Sequence, residues 1–403
     1  MDRKLLSILF VIIPLFKPYL LLGINADIVL IVLTCLLFFL LFKWKPARYA
    51  VLAPYGLLAL YSLFIPPLVA LLLLGSGFSV SYLPFFIYAF LSLTIEKLDF
   101  SRTFKIYRWA VSICCIFFFV QELAYYAASI RISGLIPYLD VIYAKSWNIS
   151  TQDYIARQLM INRNSSFFLE PAHFVQYIAP CLIIMLLKKE CFNFYYIIMV
   201  SSAMLLSRSG NGLLLLAIAF ALYLFKTKTK MIWKIIVISS FVSGVLYFSN
   251  TQEGEELFAR TSELNINNQE RHSGFVRVYR GYILWNDLPF LLKVTGIGKN
   301  TEEIFENNMQ GWMFFGENDR FLNGVQMVLI GNGIIGLIIM FFFLYRMYAL
   351  AKGDVSKKGL ILSLLLLFFV ESIFNSSYMV FYISLILCGY KNRLLISQKC
   401  IMK

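Results

Sequence analysis

Three acids, Glu122, Glu170 and Glu371, stand near the ends of long apolar runs. A charge at the centre of a membrane helix costs roughly 2.5–3.5 kcal/mol on insertion scales and less toward the interface, so such acids are functional candidates. Pairing with nearby arginines is the structural alternative. Glu170 lies in FFLEPAHF, one turn from His173. A carboxylate or an imidazole at that place is suited to taking a proton from an alcohol. His173 and His272 are the only histidines, and a lone histidine also serves as a hydrogen-bonded structural ring.

Arginines form the second set. With alternate loops assigned to alternate sides of a membrane, nine fall on the outer side: Arg131, Arg157, Arg163, Arg208, Arg260, Arg271, Arg277, Arg280 and Arg320. Arginine offers a planar, two-pronged donor set that matches phosphate and carboxylate. Arg277 and Arg280, at i and i+3, fall roughly 60° apart on a helical wheel, opposite Phe275, Val278, Tyr279 and Tyr282. Ion pairing with outer acids is the competing account, since segment 250–320 holds eleven acids against seven lysines and arginines.

The elements that must position these groups are membrane spans. The 403 residues are 60% hydrophobic and 14% charged, with a mean hydropathy of +0.74. That composition is foreign to a soluble domain of this length. Twelve runs approach the roughly 20 residues a spanning helix requires: 5–22, 27–42, 50–74, 78–95, 108–128, 168–187, 192–206, 212–225, 231–249, 321–345, 359–375 and 376–390. Pro54, Pro66 and Pro67 predict a kink in the third. The net charge of +14 is concentrated in the short loops of one side, which is the positive-inside pattern and not a nucleic-acid footprint. Both termini then fall in the cytoplasm. The N-terminal MDRKLLSILFVIIPLF has no small-residue cleavage site and reads as a retained first span. The seven cysteines fall in spans or on the inner side, so no disulfide is expected outside.

Two segments, 129–167 and 250–320, remain as long outer loops. YIARQLMINR in the first and 273–286 in the second have the periodicity of short helices at the membrane interface, with Pro289 ending the latter. TGIGKN lacks the spacer and the hydroxyl residue of a phosphate-binding loop and reads as a two-glycine turn. Gly331, Gly333 and Gly336 read as close helix packing. No cluster has metal-ligand spacing, so neither a cofactor nor a catalytic metal is expected.

The order of these features resembles the O-antigen and exopolysaccharide polymerases (Wzy-type), a branch of the O-antigen polymerase/ligase superfamily. RNSSFFLEPAHFVQYIAP, LLSRSGNGLLLLAIAF, RHSGFVRVYRGYILWNDLPFLLKVTGIGKN and ENDRFLNGVQMVLIGNGIIGLIIM carry the likeness, from about residue 160 to 350. It implies an all-α polytopic protein of about 12 spans, GT-C-like, in the bacterial cytoplasmic membrane with its active site outside. It implies a substrate too: undecaprenyl-diphosphate-linked oligosaccharide, to which the growing polymer is transferred. A chain-length regulator is a further partner the resemblance suggests. Carried over, Arg163, Arg208, Arg277 and Arg280 hold the diphosphate, with Arg271 behind them. The related ligases have a histidine just before the span matching the tenth here, where this chain has FGENDRFLNG. That favours polymerase over ligase and leaves the proton acceptor open among Glu170, His173 and Asp319, in that order. A ligase that moves glycan to a lipid A core, and a flippase without enzymatic activity, remain the alternatives.

Overall fold

The structure is a computed structural model describing residues 2–43, 46, 49–75, 80–146, 149–160, 164–226, 279–299 and 322–388, with scattered positions between 231 and 250. Helices occupy eleven of the twelve apolar runs; the other, 231–249, lies mostly outside the described residues. In chain order the first are α1 (Asp2–Ile12), α2 (Ala26–Leu36), α3 (Ala53–Leu74), α4 (Leu83–Thr94) and α5 (Phe100–Ala128). Two short helices follow, α6 (Ile142–Ser146) and α7 (Thr151–Met160), then α8 (Pro171–Leu187), α9 (Phe194–Leu206) and α10 (Gly210–Lys226). The last are α11 (Gly281–Asn286), α12 (Phe290–Thr295), α13 (Gly324–Leu350), α14 (Val355–Val370) and α15 (Ser377–Leu387).

Among the described residues, α3, α5 and α13 are long and apolar enough to cross a membrane. Their exposed faces are stripes of large apolar side chains at helical spacing. Leu57, Leu60, Phe64, Leu68 and Leu72 line α3; Trp109, Ile113, Ile116, Val120 and Leu123 line α5. Polar groups lie inside instead: Asp27, Gln121, Glu122, Asn211, Arg280, Gln326 and Glu371 are buried. Apolar outside and polar within is the reverse of a helix packed on a soluble core. The fold is that of a mostly helical membrane protein.

The other helices are shorter than expected, for visible reasons. α1 passes into a tight turn at Ile13–Phe16, where Pro14 removes a donor. The chain then forms a two-residue hairpin, β1 (Leu20–Leu21) with β2 (Ile24–Asn25). Leu22 and Gly23 both take positive φ at its tip, as a tight hairpin turn requires. α14 stops at Val370 because Glu371 is extended. The connection to α15 turns back into the bundle, where Asn375 Oδ1 accepts a hydrogen bond of 3.0 Å from Tyr55 Oη. α3 runs unbroken from 53 to 74; Pro54 sits in its first turn, while Pro66 and Pro67 lie inside it.

The interrupted helix is α13. Gly333 has φ 64° and ψ −169°, so the helix is interrupted there. The loop after α12 fills the gap. Ile297 N–H donates to Ile330 O and Gly298 N–H to Gly331 O, both at 3.0 Å. The TGIGK turn and the GNG of α13 are thus two halves of one joint. It lies roughly 10–13 Å along α13 from Gly324, at about 1.5 Å per residue. Irregular backbone at such depth persists only where protein covers it and pairs its polar groups. Ala70, Leu284, Leu288, Leu292, Ile297 and Ile330 supply an apolar cluster around it. Of the interfacial helix expected over 273–286, residues 273–278 lie outside the described residues, and the part from 281 on is docked with the following turn against α3 and α13.

The described residues of segment 129–167 are held by packing. Tyr19, Ala26, Leu135, Val141, Tyr154 and Leu169 form a small core between the hairpin and α6 and α7. Cysteines 35, 114, 115, 181, 191 and 388 are all free.

Candidate functional site

Contacts sort the helix ends into two sets. At the basic end, Ser7 meets Thr103, Lys357 Nζ donates to Cys388 O at 2.7 Å, and Arg108 lies over the Tyr196 ring. The opposite set surrounds the acids, and its centre is a residue absent from the sequence-derived candidates, Lys17.

Lys17 follows the tight turn after α1. Its Nζ lies 3.2 Å from His173 Nε2 and 4.8 Å from the centroid of the Tyr378 ring. The His173 ring stacks on the same tyrosine, with centroids 5.9 Å apart and planes at 11°. Asp27, Glu371 and Glu170 are all close enough for their charges to act on Lys17. Six chemically capable side chains thus come from six places: the turn after α1, the start of α2, the residue before α8, the first turn of α8, the end of α14 and the start of α15.

Each acid has its own setting. Glu170 precedes α8 with extended backbone, and its carbonyl accepts from His173 N at 3.1 Å and Phe174 N at 3.2 Å. Its carboxylate does not cap the helix. Glu371 Oε1 accepts from Asn211 Nδ2 at 2.5 Å, and its carbonyl receives Gly324 N–H at 2.8 Å. Glu122 Oε1 accepts from Asn164 Nδ2 at 2.8 Å. The starts of α2, α8, α10, α13 and α15 are joined through these contacts, and the partial positive charge of helix N-termini favours an anion at such an end.

The cluster is recessed in the protein: Asp27, Glu371 and Tyr378 are buried, and Lys17, Glu170 and His173 are half-buried. A separate crevice, with Gln121, Arg131, Ser133, Asn164 and Ser165 among its lining, lies between the end of α5 and segment 131–169.

The arginines divide. Arg280 is fully buried just before α11, where Gly281 packs on the Gln326 side chain. Gln326 closes a reciprocal cap with Asn323 at the start of α13, two residues from the Gly324 contact with Glu371. Arg208 sits in the tight turn between α9 and α10 with φ 54°. Its Nη2 lies 3.8 Å from Glu122 Oε2 and donates to Tyr126 Oη. Arg131 donates to Leu159 O and faces the Tyr125 ring, which ties α7 to the end of α5. Arg163, Arg271, Arg277 and Asp319 lie outside the described residues.

Lys17, Asp27, Asn211 and Tyr378 were not singled out by sequence. Lys17 carried a usable signal: it is a lysine near the outer end of an apolar run, in PLFKPYL, where charge asymmetry disfavours a cation. The architecture defines the class, a helical membrane protein with a recessed charged cluster. Compared with models of known protein families, with curated proteins and with solved structures, the chain matches none.

Proposed function

We propose that this protein is a polysaccharide polymerase of the bacterial cytoplasmic membrane, working at the outer face. The growing glycan, carried on undecaprenyl diphosphate, is transferred to a sugar hydroxyl of a new lipid-linked repeat unit. The hydroxyl oxygen bonds to the anomeric carbon, the bond from that carbon to the diphosphate breaks, and the lipid diphosphate leaves. Glu170 accepts the hydroxyl proton. Arginine cations, Arg280 first among the described ones, offset the charge that develops on the leaving group.

The observation that supports this reading is the convergence of Lys17 from the turn after α1, Glu170 and His173 from the start of α8 and Glu371 from the end of α14, at the end opposite the basic loops. Such a cluster offers a proton acceptor and a cation together, which suits transfer from a diphosphate. A glycan transporter is the second reading, favoured by the recessed cluster and the broken α13. At that break, however, the carbonyls of Ile330 and Gly331 are taken by backbone donors, as in a packing joint.

Gene deletion followed by gel analysis of surface glycan tests the proposal. A polymerase deletion keeps a single repeat unit on the acceptor and loses the ladder. Loss of both would reject polymerase in favour of ligase or transporter.

A further inference from the structure

We propose that Lys17 is a positioning residue that holds His173 as a neutral ring protonated on Nδ1, so that His173 serves as a hydrogen-bond donor and not as a base. An ammonium group carries three donors and no lone pair. At 3.2 Å, Nε2 must therefore be the acceptor, and the proton of a neutral imidazole is left to Nδ1. A second proton on the ring would set two donors and two cations against each other. Ammonium is also the ordinary form of lysine, and neutral imidazole that of histidine, near neutral pH. Burial works against the charge on Lys17, and the acids that face it from three sides work for it: Asp27 from α2, Glu371 from the end of α14 and Glu170 from the start of α8. Tyr378 of α15 lies under both the ammonium and the ring and fixes their relative placement.

This has a consequence for the shared candidates. With Nε2 engaged and Nδ1 protonated, His173 has no lone pair to offer a sugar hydroxyl. Between Glu170 and His173, the proton acceptor is then Glu170. The part His173 takes in transfer rests on the polymerase reading; its protonation does not.

The full chain, with isotope-labelled histidine and reconstituted in lipid nanodiscs, gives signals from two rings, told apart by a His272→Gln variant. The expected result for His173 is a protonated Nδ1 and an unprotonated Nε2, the latter recognised by its coupling to the ring Hδ2. Lys17→Met should move the proton to Nε2, and Lys17→Arg, which also donates, should keep it on Nδ1. A proton on Nε2 of His173 in the unaltered protein overturns the proposal whether or not the variants fold. An unchanged tautomer in a folded Lys17→Met protein overturns it as well. Neither readout involves glycan, so failure here is separate from failure of the polymerase reading, which appears in the deletion strain.

Discussion

Glu170 and Glu122 are both acids at helix ends, and their surroundings set them different tasks. The Glu170 carboxylate leaves the α8 cap unused and lies beside Lys17 and His173. Glu170→Gln keeps size and hydrogen bonding and loses the proton acceptor. Its expected effect is a fall in kcat larger than any rise in KM, measured with purified lipid-linked repeat units; equal turnover would leave Glu170 structural. Glu122 is instead engaged by Asn164 and Arg208. Removing one partner of a buried ion pair costs up to about 3–5 kcal/mol, because the other charge is stranded. The Arg208 and Glu122 side chains keep 13% and 10% exposure, so a smaller loss is expected for Arg208→Gln or Glu122→Gln alone. The double variant should lose less than the sum of the singles in thermal unfolding. An additive result would free Arg208 for the diphosphate role that sequence suggested. The acids were legible because charge is rare in apolar runs. The pairing of Arg208 with Glu122 was not, since it joins residues 86 positions apart in the chain.

At the scale of elements, the joint between the TGIGK turn and α13 makes a sharp demand on particular glycines. Gly296 and Gly333 both have positive φ, and a Cβ on either would fall on backbone: on Gly331 O and Asn332 N for Gly296, on Val294 O for Gly333. Backbone cannot step aside as a flexible side chain does. Gly331 differs; its Cβ would meet only Gly298 O at 3.5 Å, an ordinary contact. Gly296→Ala and Gly333→Ala should therefore each lower the yield of monodisperse protein in detergent and its melting temperature markedly, while Gly331→Ala stays close to the parent. Equal behaviour of all three would show that the joint does not hold this region. Sequence supplied each half: a two-glycine turn, and glycines for close packing in the tenth run. It did not supply their union, because glycine reports permission for an unusual backbone and not the partner that imposes it. The hairpin at 20–25 was missed for a related reason. Leu20 and Leu21 end one apolar run and Ile24 and Asn25 fall in the gap before the next, and periodicity over so short a stretch does not separate strand from helix.

At the scale of the molecule, the apolar stripes of α3, α5 and α13 face outward while charged groups gather at one end of the interior. The run lengths and the charge asymmetry made most of this bundle readable, because a bilayer imposes one coarse rule on every span. The rule fails for helices enclosed by others: α15, eleven residues and buried throughout, meets protein on all sides and need not match the hydrocarbon thickness. Orientation follows from charge. Lys352 lies in the exposed turn between α13 and α14, at the basic end, and Ser150 is exposed just before α7, on the side of the cluster. Single cysteines at these two positions, in a background without the native seven, report the sides directly. An impermeant thiol reagent applied to cells stripped of any outer barrier should label Ser150→Cys at once and Lys352→Cys only after the membrane is permeabilised. The reverse order would put the Lys17 cluster in the cytoplasm, beyond the reach of an outer-face glycan, and the polymerase reading would fall with the topology.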